Sequence, residues 1–302
     1  MNPRNRIHDY NSEDVNNRCI ITESRMPILS AAVLGIVQGL TEFLPVSSSA
    51  HLILVPWLFG WEAYGLAFDV SLHVGTAIAV LAFFRAEWVH LAREVILGFR
   101  EADPFGNRHR KLAWYLVVGT IPAVVVGFTM ERMIDENLRS PLVIVFTLAT
   151  LAALLLYAET KGRKSRTLES LTWTDSILIG LSQAIALIPG VSRSGITMTT
   201  ALLRNCNRVS AARFSFLLST PVIVGAGILQ SWRYLEAVRN PSAGTTVVSW
   251  TVLGAGTLCA AITGFLCIRY FLRYLQAGSF VPFVLYRFVL AGLILAYYLK
   301  AH

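Results

Sequence analysis

Gln38 and Glu42 are two oxygen-bearing side chains within the apolar stretch GIVQGLTEFLPV, from Gly35 to Val46. Their spacing of four residues places them on one face of a helix. An ionisable glutamate inside a membrane segment marks a functional site by default, and a neutral glutamate hydrogen-bonded to another helix is the structural alternative. Two such oxygens can hold a hard divalent cation when phosphates and water complete its coordination. The spacing alone is compatible with a metal site at Gln38 and Glu42 and does not establish one.

Pro45 breaks this helix, and Ser47, Ser48 and His51 follow the break. One of the two serines is a natural N-cap for the helix that restarts here, so capping accounts for one hydroxyl. His51 is three residues from Ser48 and four from Ser47, and its imidazole can share a helix face with either hydroxyl. A serine with a histidine in reach is the minimal arrangement for an activated nucleophile. A purely structural, hydrogen-bonded histidine is the alternative.

A second break, in IPGVSRSGITMTT, combines several groups that bind phosphate. Pro189 and Gly190 end one half-helix, and Ser192, Arg193 and Ser194 begin the next. The break gathers exposed backbone N–H groups, the positive end of a helix dipole, two hydroxyls and a guanidinium. Arg193 has no acidic neighbour in its own segment, so a bound anion is its simplest partner.

Asp69 and His73 form a further pair at a spacing of four residues, at the start of an apolar run. They could support the residues that bind the ligand, or they could mark the boundary between membrane and water. The sequence favours neither interpretation.

The elements that position these residues belong to a membrane protein. Of 302 residues, 55% are hydrophobic and only 15% are charged, whereas soluble domains contain about 25% charged residues. The net charge of +8 does not indicate nucleic-acid binding, because Lys and Arg cluster in short connections between apolar runs. Cytoplasmic loops that face anionic lipid have this composition.

Six apolar runs approach the length of about 20 residues that a membrane span requires. Two further segments, 27–60 and 174–204, are apolar but broken at Pro45 and at Pro189 and Gly190. Each half is too short to cross, so we predict two re-entrant helix pairs, whose irregular backbone is buried in protein. The six predicted spans are 67–84, 112–130, 142–158, 213–231, 247–268 and 283–299.

The two broken segments resemble each other at an offset of 145 residues, with five identities in fifteen aligned positions. Three spans follow each segment, and because three is odd the second copy must be inverted relative to the first. We therefore predict an all-α polytopic membrane protein with an inverted-topology repeat, in which broken helices build the site near the midplane. The predicted divisions are a polar N-terminal tail (1–26), a first repeat (27–160) and a second, inverted repeat (161–302).

The distribution of Lys and Arg predicts the orientation of the protein. The connections 85–111, 159–174, 204–213 and 269–282 share one side and contain 15 of these residues, against 9 on the other side. The more basic side is expected to be the cytoplasm. Both termini are then expected to lie outside.

Three motifs resemble those of bacterial undecaprenyl-diphosphate phosphatases, also called the bacitracin-resistance family. QGLTEFLPVSSSAH (Gln38–His51) is similar to the family's (E/Q)xxxE and PVSSxxH signatures, and PGVSRSG (Pro189–Gly195) is similar to its second signature. RFSFLLSTP (Arg213–Pro221) is similar to a further stretch that follows. The resemblance extends from about residue 27 to the C-terminus.

This resemblance implies an enzyme of the bacterial inner membrane. It would remove the terminal phosphate of undecaprenyl diphosphate and so recycle the lipid carrier for cell-wall synthesis, with Mg²⁺ or Ca²⁺ as cofactor. Its site would face the periplasm. The sequence leaves open whether the protein forms a homodimer. By residue, the resemblance implies metal binding at Gln38 and Glu42, catalysis at Glu42, Ser48, His51 and Arg193, and phosphate binding at Ser47, Ser192, Arg193, Ser194 and Thr197.

One position departs from the stricter form of the motif, because Gln38 stands where a second carboxylate could stand. With one carboxylate, the protein holds a cation less strongly, so the diphosphate must supply more of the coordination. We expect Ser48, or else His51, to attack the distal phosphorus, with direct attack by water as a variant.

A lipid-phosphate transporter or flippase is the alternative function, because inverted repeats with broken helices are also a transporter plan. Two features argue against transport. His51 beside serines is not needed for it, and the segments contain no second set of acidic residues for a proton relay.

Overall fold

The computed structural model describes residues 22–23, 28–61, 65–138, 140–240 and 246–301. Apart from residues 22–23, the predicted polar tail 1–26 lies outside the described residues. The described chain contains eleven α-helices and two short strands, β1 (Thr22–Glu23) and β2 (Thr246–Val247), which pair in parallel. The helices are α1 (Ile28–Phe43), α2 (Ser48–Phe59), α3 (Gly65–Phe83), α4 (Arg85–Arg100), α5 (Arg108–Asn137), α6 (Pro141–Lys161), α7 (Trp173–Ile185), α8 (Arg193–Leu203), α9 (Arg208–Arg239), α10 (Trp250–Tyr274) and α11 (Val281–Ala301).

The six predicted spans are six helices of the structure. Within the described ranges, five helices (α5, α6, α9, α10 and α11) are long and apolar enough to cross a membrane, and α3 with its bent continuation makes a sixth. The 19 residues of α3 rise about 28 Å, close to the thickness of the hydrocarbon core. The protein is therefore an all-α, multi-pass membrane protein, as predicted.

Both broken segments form pairs of short helices. α1 and α2 contain 16 and 12 residues, and α7 and α8 contain 13 and 11, so each is below the length of a span. The two breaks have the same backbone conformation, because Ser47 and Ser192 both have positive φ values, of 75° and 67°. Each of these serines is the N-cap of the helix that follows it. The chain thus forms the same arrangement of helix, break and serine-capped helix twice, 145 residues apart.

Equivalent helices of the two halves pack against equivalent partners. α1 lies against α10, and its counterpart α7 lies against α5. Glycines permit these close approaches, since a Cβ on Gly35 would collide with the backbone of Gly256, and one on Gly180 would collide with Gly119. Small residues let helix backbones come together in this way in membranes. α3 against α9 and α6 against α11 join equivalent helices across the halves.

The connection 85–111 differs from the prediction of a loop, because its first part is a helix. α4 begins directly after α3 and is bent from it by 75°. Its five charged residues interrupt the apolar pattern, and for this reason the helix was not predicted. The buried face of α4 includes Leu91 and Gly98. Such a charged, amphipathic helix is typical of the membrane interface.

The start of α7 is fixed by a buried ion network. Asp175 is fully buried and forms a capping box with Thr172. It accepts hydrogen bonds from Arg166 at 2.7 Å and from Arg204 at 2.6 Å. Burial alone would raise the pKa of Asp175. The hydrogen bonds from Arg166, Arg204 and Thr172 lower this pKa by more than burial raises it, so the net pKa is below the ordinary value of an aspartate. This anchor holds the second re-entrant pair at its entry point.

Candidate active site

Glu42 lies where the two breaks meet. Its side chain is almost fully buried, at 8% exposure. Gln38 Nε2 donates to Glu42 Oε2 at 3.0 Å, as the spacing of four residues predicts, and Ser48 Oγ donates to the same oxygen at 2.6 Å. Oε1 of Glu42 faces Arg193 at 3.9 Å. One carboxylate therefore contacts the first residue of α2 and the first residue of α8.

Ser48 has Glu42 as its hydrogen-bond acceptor, and not His51. The short bond, at 2.6 Å, joins its hydroxyl to the carboxylate across the break. A hydroxyl that donates to a carboxylate has a proton acceptor in place, which is the arrangement of a serine nucleophile with an adjacent base. The sequence identified serine and histidine as a pair, whereas the structure couples the serine to the glutamate.

His51 is held by two other partners. Its Nδ1 lies 2.7 Å from the carbonyl oxygen of Ser47, and its Nε2 lies 2.6 Å from the hydroxyl of Tyr286. A carbonyl can only accept, so Nδ1 carries a hydrogen, and in the neutral tautomer Nε2 accepts from Tyr286. The two rings also stack, with centroids 5.7 Å apart and planes 9° apart. Tyr286 is thus a residue of the site that the sequence did not indicate.

The second break places a guanidinium beside this carboxylate. Arg193 Nη1 is buried and has no hydrogen-bond partner in the part of the chain that the structure describes. A buried donor without an acceptor is costly, and a phosphate oxygen would satisfy it. Arg193 occupies the position equivalent to Ser48 at the offset of 145 residues. The first copy thus supplies a hydroxyl and the second copy supplies a cation to the same carboxylate.

The predicted phosphate-binding hydroxyls divide between the two breaks and the helix behind them. Ser47 accepts from the amide of Ala50, and Ser192 accepts from the amide of Gly195, at 3.4 and 3.1 Å. These bonds are N-caps and hold the two helix N-termini open at the site. Ser194 donates to the carbonyl of Leu44 at 3.0 Å and so ties the second break to the first.

Thr197 lies one turn further along α8 and is fully buried. Its hydroxyl donates to the carbonyl of Arg193 at 2.7 Å and meets Ser215 Oγ of α9 at 2.6 Å. In this structure Thr197 therefore supports α8 against α9, directly behind the guanidinium.

Gln38 and Glu42 have the chemistry of a weak cation site. The side-chain oxygen of Gln38 is buried and has no hydrogen-bond partner in the described structure. Among the described residues, no three His, Cys, Asp or Glu side chains come together to hold a metal. The residues present therefore fit a cation only when a bound ligand supplies further oxygens, as expected for a single carboxylate.

His73 reaches Glu42 from α3. Its Nε2 lies 3.6 Å from Glu42 Oε2, and its Nδ1 lies 2.8 Å from the carbonyl oxygen of Asp69. The histidine is one-quarter exposed. Of the two interpretations that the sequence left open for the pair, the geometry favours a supporting role for His73 at the carboxylate.

Arg287 connects both breaks, and sequence reasoning assigned it no role. It is fully buried in α11. Its isolated charge within an apolar run was the available signal, since intramembrane charges are expensive and functional. Within the described ranges it donates only to backbone carbonyls, those of Pro45, Thr147, Leu148, Gly190 and Val191, at 3.1 to 3.5 Å.

We expect Arg287→Met to destabilise the protein by about 3 kcal/mol or more, because it leaves carbonyls at both breaks without donors. Arg287→Lys, with three donors in place of five, is expected to lose less. Thermal unfolding in detergent measures both. The exposed Arg273→Met is the control, and an Arg287→Met protein as stable as this control would contradict the role of Arg287 as a clamp.

Known proteins resemble the chain over most of its length. The family model described as "Bacitracin resistance protein BacA" matches residues 31–293. A protein of Stutzerimonas stutzeri named undecaprenyl-diphosphatase 2 is 45% identical over 273 residues, which cover 89% of this chain and 98% of that protein. An undecaprenyl-diphosphatase of Desulforudis audaxviator is 49% identical over 86% of this chain and 94% of its own. An undecaprenyl-diphosphatase of Geobacter sulfurreducens is 47% identical over 90% of this chain and 98% of its own length.

Proposed function

The chain belongs to the bacitracin resistance protein family, and from that premise we propose that it is a membrane phosphatase acting on undecaprenyl diphosphate. It releases inorganic phosphate and leaves undecaprenyl phosphate, which returns the lipid carrier to cell-wall synthesis. The observation that carries the proposal is the meeting of Glu42, Ser48 and Arg193 at one buried point. A carboxylate, a hydroxyl that donates to it, and a guanidinium whose Nη1 has no hydrogen-bond partner among the described residues are groups that phosphoryl transfer to a serine can use.

The substrate class follows from charge and surroundings. The two helix N-termini and Arg193 provide positive potential for a diphosphate. The site lies among membrane helices, so the prenyl tail remains in an apolar environment. The relatives are named for an enzyme that acts on this substrate, and the chain matches nearly their whole length.

In the proposed reaction the Ser48 oxygen attacks the distal phosphorus and forms a phosphoserine. The hydroxyl proton passes to Glu42, which already accepts a hydrogen bond from it. The bond between the distal phosphorus and the bridging oxygen breaks, and undecaprenyl phosphate leaves. Water then hydrolyses the phosphoserine and restores the serine. Arg193 stabilises the negative charge on the transferred group.

His51 is the second candidate nucleophile. For attack, its Nε2 would first have to leave the hydroxyl of Tyr286, 2.6 Å away. Ser48 needs no such rearrangement, and this favours the serine. Direct attack by water, with Glu42 as base, is the remaining variant.

We propose Mg²⁺ or Ca²⁺ as the cofactor, held by Gln38 and Glu42 together with oxygens of the diphosphate. When bound, a divalent cation neutralises charge on the leaving phosphate. The side-chain oxygen of Gln38, which has no hydrogen-bond partner among the described residues, supports this assignment.

Removal of the cation is expected to abolish most of the activity. Purified protein treated with EDTA should release little phosphate, and added Mg²⁺ should restore the release. Gln38→Glu, which provides a second carboxylate, should lower the Mg²⁺ concentration that gives half of the maximal rate. Full activity in EDTA, with metal content checked by mass spectrometry, would contradict the cation requirement.

We propose that the site and both termini face the outside of the cell. The excess of Lys and Arg in the connections 85–111, 159–174 and 204–213 supports this orientation. Residues of all three connections lie around one cavity, as they would on a common side. A membrane-impermeant thiol reagent tests the orientation on intact cells, with single cysteines placed at Arg108 and at Lys300. Labelling at Arg108 and none at Lys300 would contradict it.

Hydrolysis is distinguished from transport by an assay in detergent, where no membrane separates two compartments. The proposed enzyme releases phosphate from undecaprenyl diphosphate under these conditions. A transporter with the same phosphate pocket would bind the lipid and leave it intact.

A further inference from the structure

A basic cavity of about 160 Å³ lies at one end of the helix bundle, and its lining includes no residue of either break. α4, the first turns of α5 and the first turns of α9 enclose it, and residues 168–171 complete the wall. Five basic side chains line it: His90, Arg108, His109, Lys111 and Arg213. None of these residues takes part in the proposed reaction.

The cations of this cavity exceed its anions. Glu87 and Glu169 also line it, and Glu87 is already paired with Arg213. The Nε of Arg213 is buried and has no hydrogen-bond partner among the described residues. In the described ranges Arg108 and Lys111 have no carboxylate within ion-pair distance, and both are exposed. A side-chain hydrogen bond from Thr167 and the charges of Arg108 and His109 lower the pKa of Glu169. The five basic side chains outnumber the two carboxylates of the cavity, so it offers donors to an anion.

An apolar groove of about 660 Å³ adjoins the basic cavity. Leu91 of α4 belongs to the walls of both. From there the groove follows α5 from Ala113 to Val125 and passes Pro221 of α9. The helix rises about 18 Å from Ala113 to Val125, which is a little more than half of a hydrocarbon core of about 30 Å.

The position of α4 indicates how deep the basic cavity and the apolar groove lie in the membrane. It is bent by 75° from the spanning helix α3, so it runs close to the membrane plane. Its exposed apolar residues include Val89, Ile96 and Phe99, while Arg93 and Arg100 are exposed basic residues. An amphipathic helix of this kind lies at the level of the lipid headgroups. The basic cavity is thus at headgroup depth and the groove is at acyl-chain depth.

We propose that the cavity and the groove together bind one anionic phospholipid of the leaflet on which α4 lies. The headgroup phosphate contacts Arg108, Lys111 and Arg213, and one acyl chain lies along α5. A free phosphate would occupy only the basic cavity, and a neutral lipid would match only the apolar groove. The continuity of the two at Leu91 favours a ligand that has both parts.

Native mass spectrometry of the full chain, titrated with phosphatidylglycerol in detergent, tests the proposal. Wild type should bind one phosphatidylglycerol more tightly than further copies, and more tightly than phosphatidylcholine. The double variant Arg108→Gln, Lys111→Gln should weaken that binding roughly 10- to 30-fold, as expected for the loss of two basic residues near a lipid phosphate. Ala92→Trp, which fills the groove at an exposed position, should weaken it as well.

Matched controls lie on α4, at positions that line neither the cavity nor the groove. Arg93→Gln with Arg100→Gln removes two exposed cations, and Ala86→Trp adds the same bulk at an exposed position. Both should bind phosphatidylglycerol within about twofold of wild type, and all variants should retain phosphate release as evidence of folding. Equal losses in variants and controls would overturn the proposal, as would phosphatidylcholine binding as tight as phosphatidylglycerol. Displacement of the lipid by inorganic phosphate alone would instead identify a free-phosphate site and also overturn it.

Discussion

Arg193→Ala is expected to lower kcat/KM for undecaprenyl diphosphate by about 10³-fold or more, the scale on which catalytic arginines act in phosphoryl transfer. Its Nη1 is buried, has no acceptor among the described residues and lies 3.9 Å from Glu42, where it can meet a phosphate oxygen. Arg193→Lys keeps the charge without the planar fork, so it should recover only part of the rate. Phosphate release under steady-state conditions measures both variants.

The exposed Arg269→Ala is the control for this change, because it removes a guanidinium from α10 without touching either break. It should retain the wild-type rate. A folded Arg193→Ala protein, with unchanged thermal unfolding and a rate within tenfold of wild type, would remove Arg193 from the phosphate site.

Ser48→Ala is expected to reduce kcat by about 10³-fold or more, the order seen when a nucleophile is deleted. The variant loses the oxygen proposed to attack phosphorus, while Glu42 keeps its bond from Gln38. KM should change far less than kcat, because in the proposed site Arg193 and the helix N-termini bind the phosphates.

Ser49→Ala is the matched control within the same serine run. Ser49 accepts from the amide of Gly190 at 3.4 Å and has no bond to Glu42 in the described structure. Its loss should cost less than about tenfold, the effect of one neutral hydrogen bond. Full activity in Ser48→Ala would exclude the serine as nucleophile and favour attack by water.

The spans and the breaks of the fold were predictable because they depend on local composition. Apolar runs identified six helices, and Pro45 and Pro189 marked the two breaks. α4 was missed because its five charged residues resemble a loop when only apolar runs are counted. Its helix is stabilised by packing against α5, a contact that depends on tertiary structure.

The candidate site was predictable only in part, for a similar reason. Glu42, Ser48 and Arg193 stand out as polar residues in apolar segments, so the sequence identifies them. Their partners depend on contacts that the chain order does not reveal. The partner of His51 is Tyr286, 235 residues away, and Arg287 joins both breaks from the last helix.

The two copies of the repeat have diverged into complementary halves. Ser48 and Arg193 occupy equivalent positions at the start of α2 and α8. Glu42 has no acidic counterpart, since Leu187 stands at its equivalent position. The second copy therefore contributes the cation that the first copy lacks, and neither half alone forms the site.

Product analysis of undecaprenyl diphosphate incubated with the purified, folded protein and Mg²⁺ tests the central claim most directly. Mass spectrometry of the lipid and a phosphate assay on the same sample identify the bond that breaks. The account predicts undecaprenyl phosphate and inorganic phosphate in equal amounts. Intact lipid diphosphate, or pyrophosphate released together with the free prenyl alcohol, would contradict it.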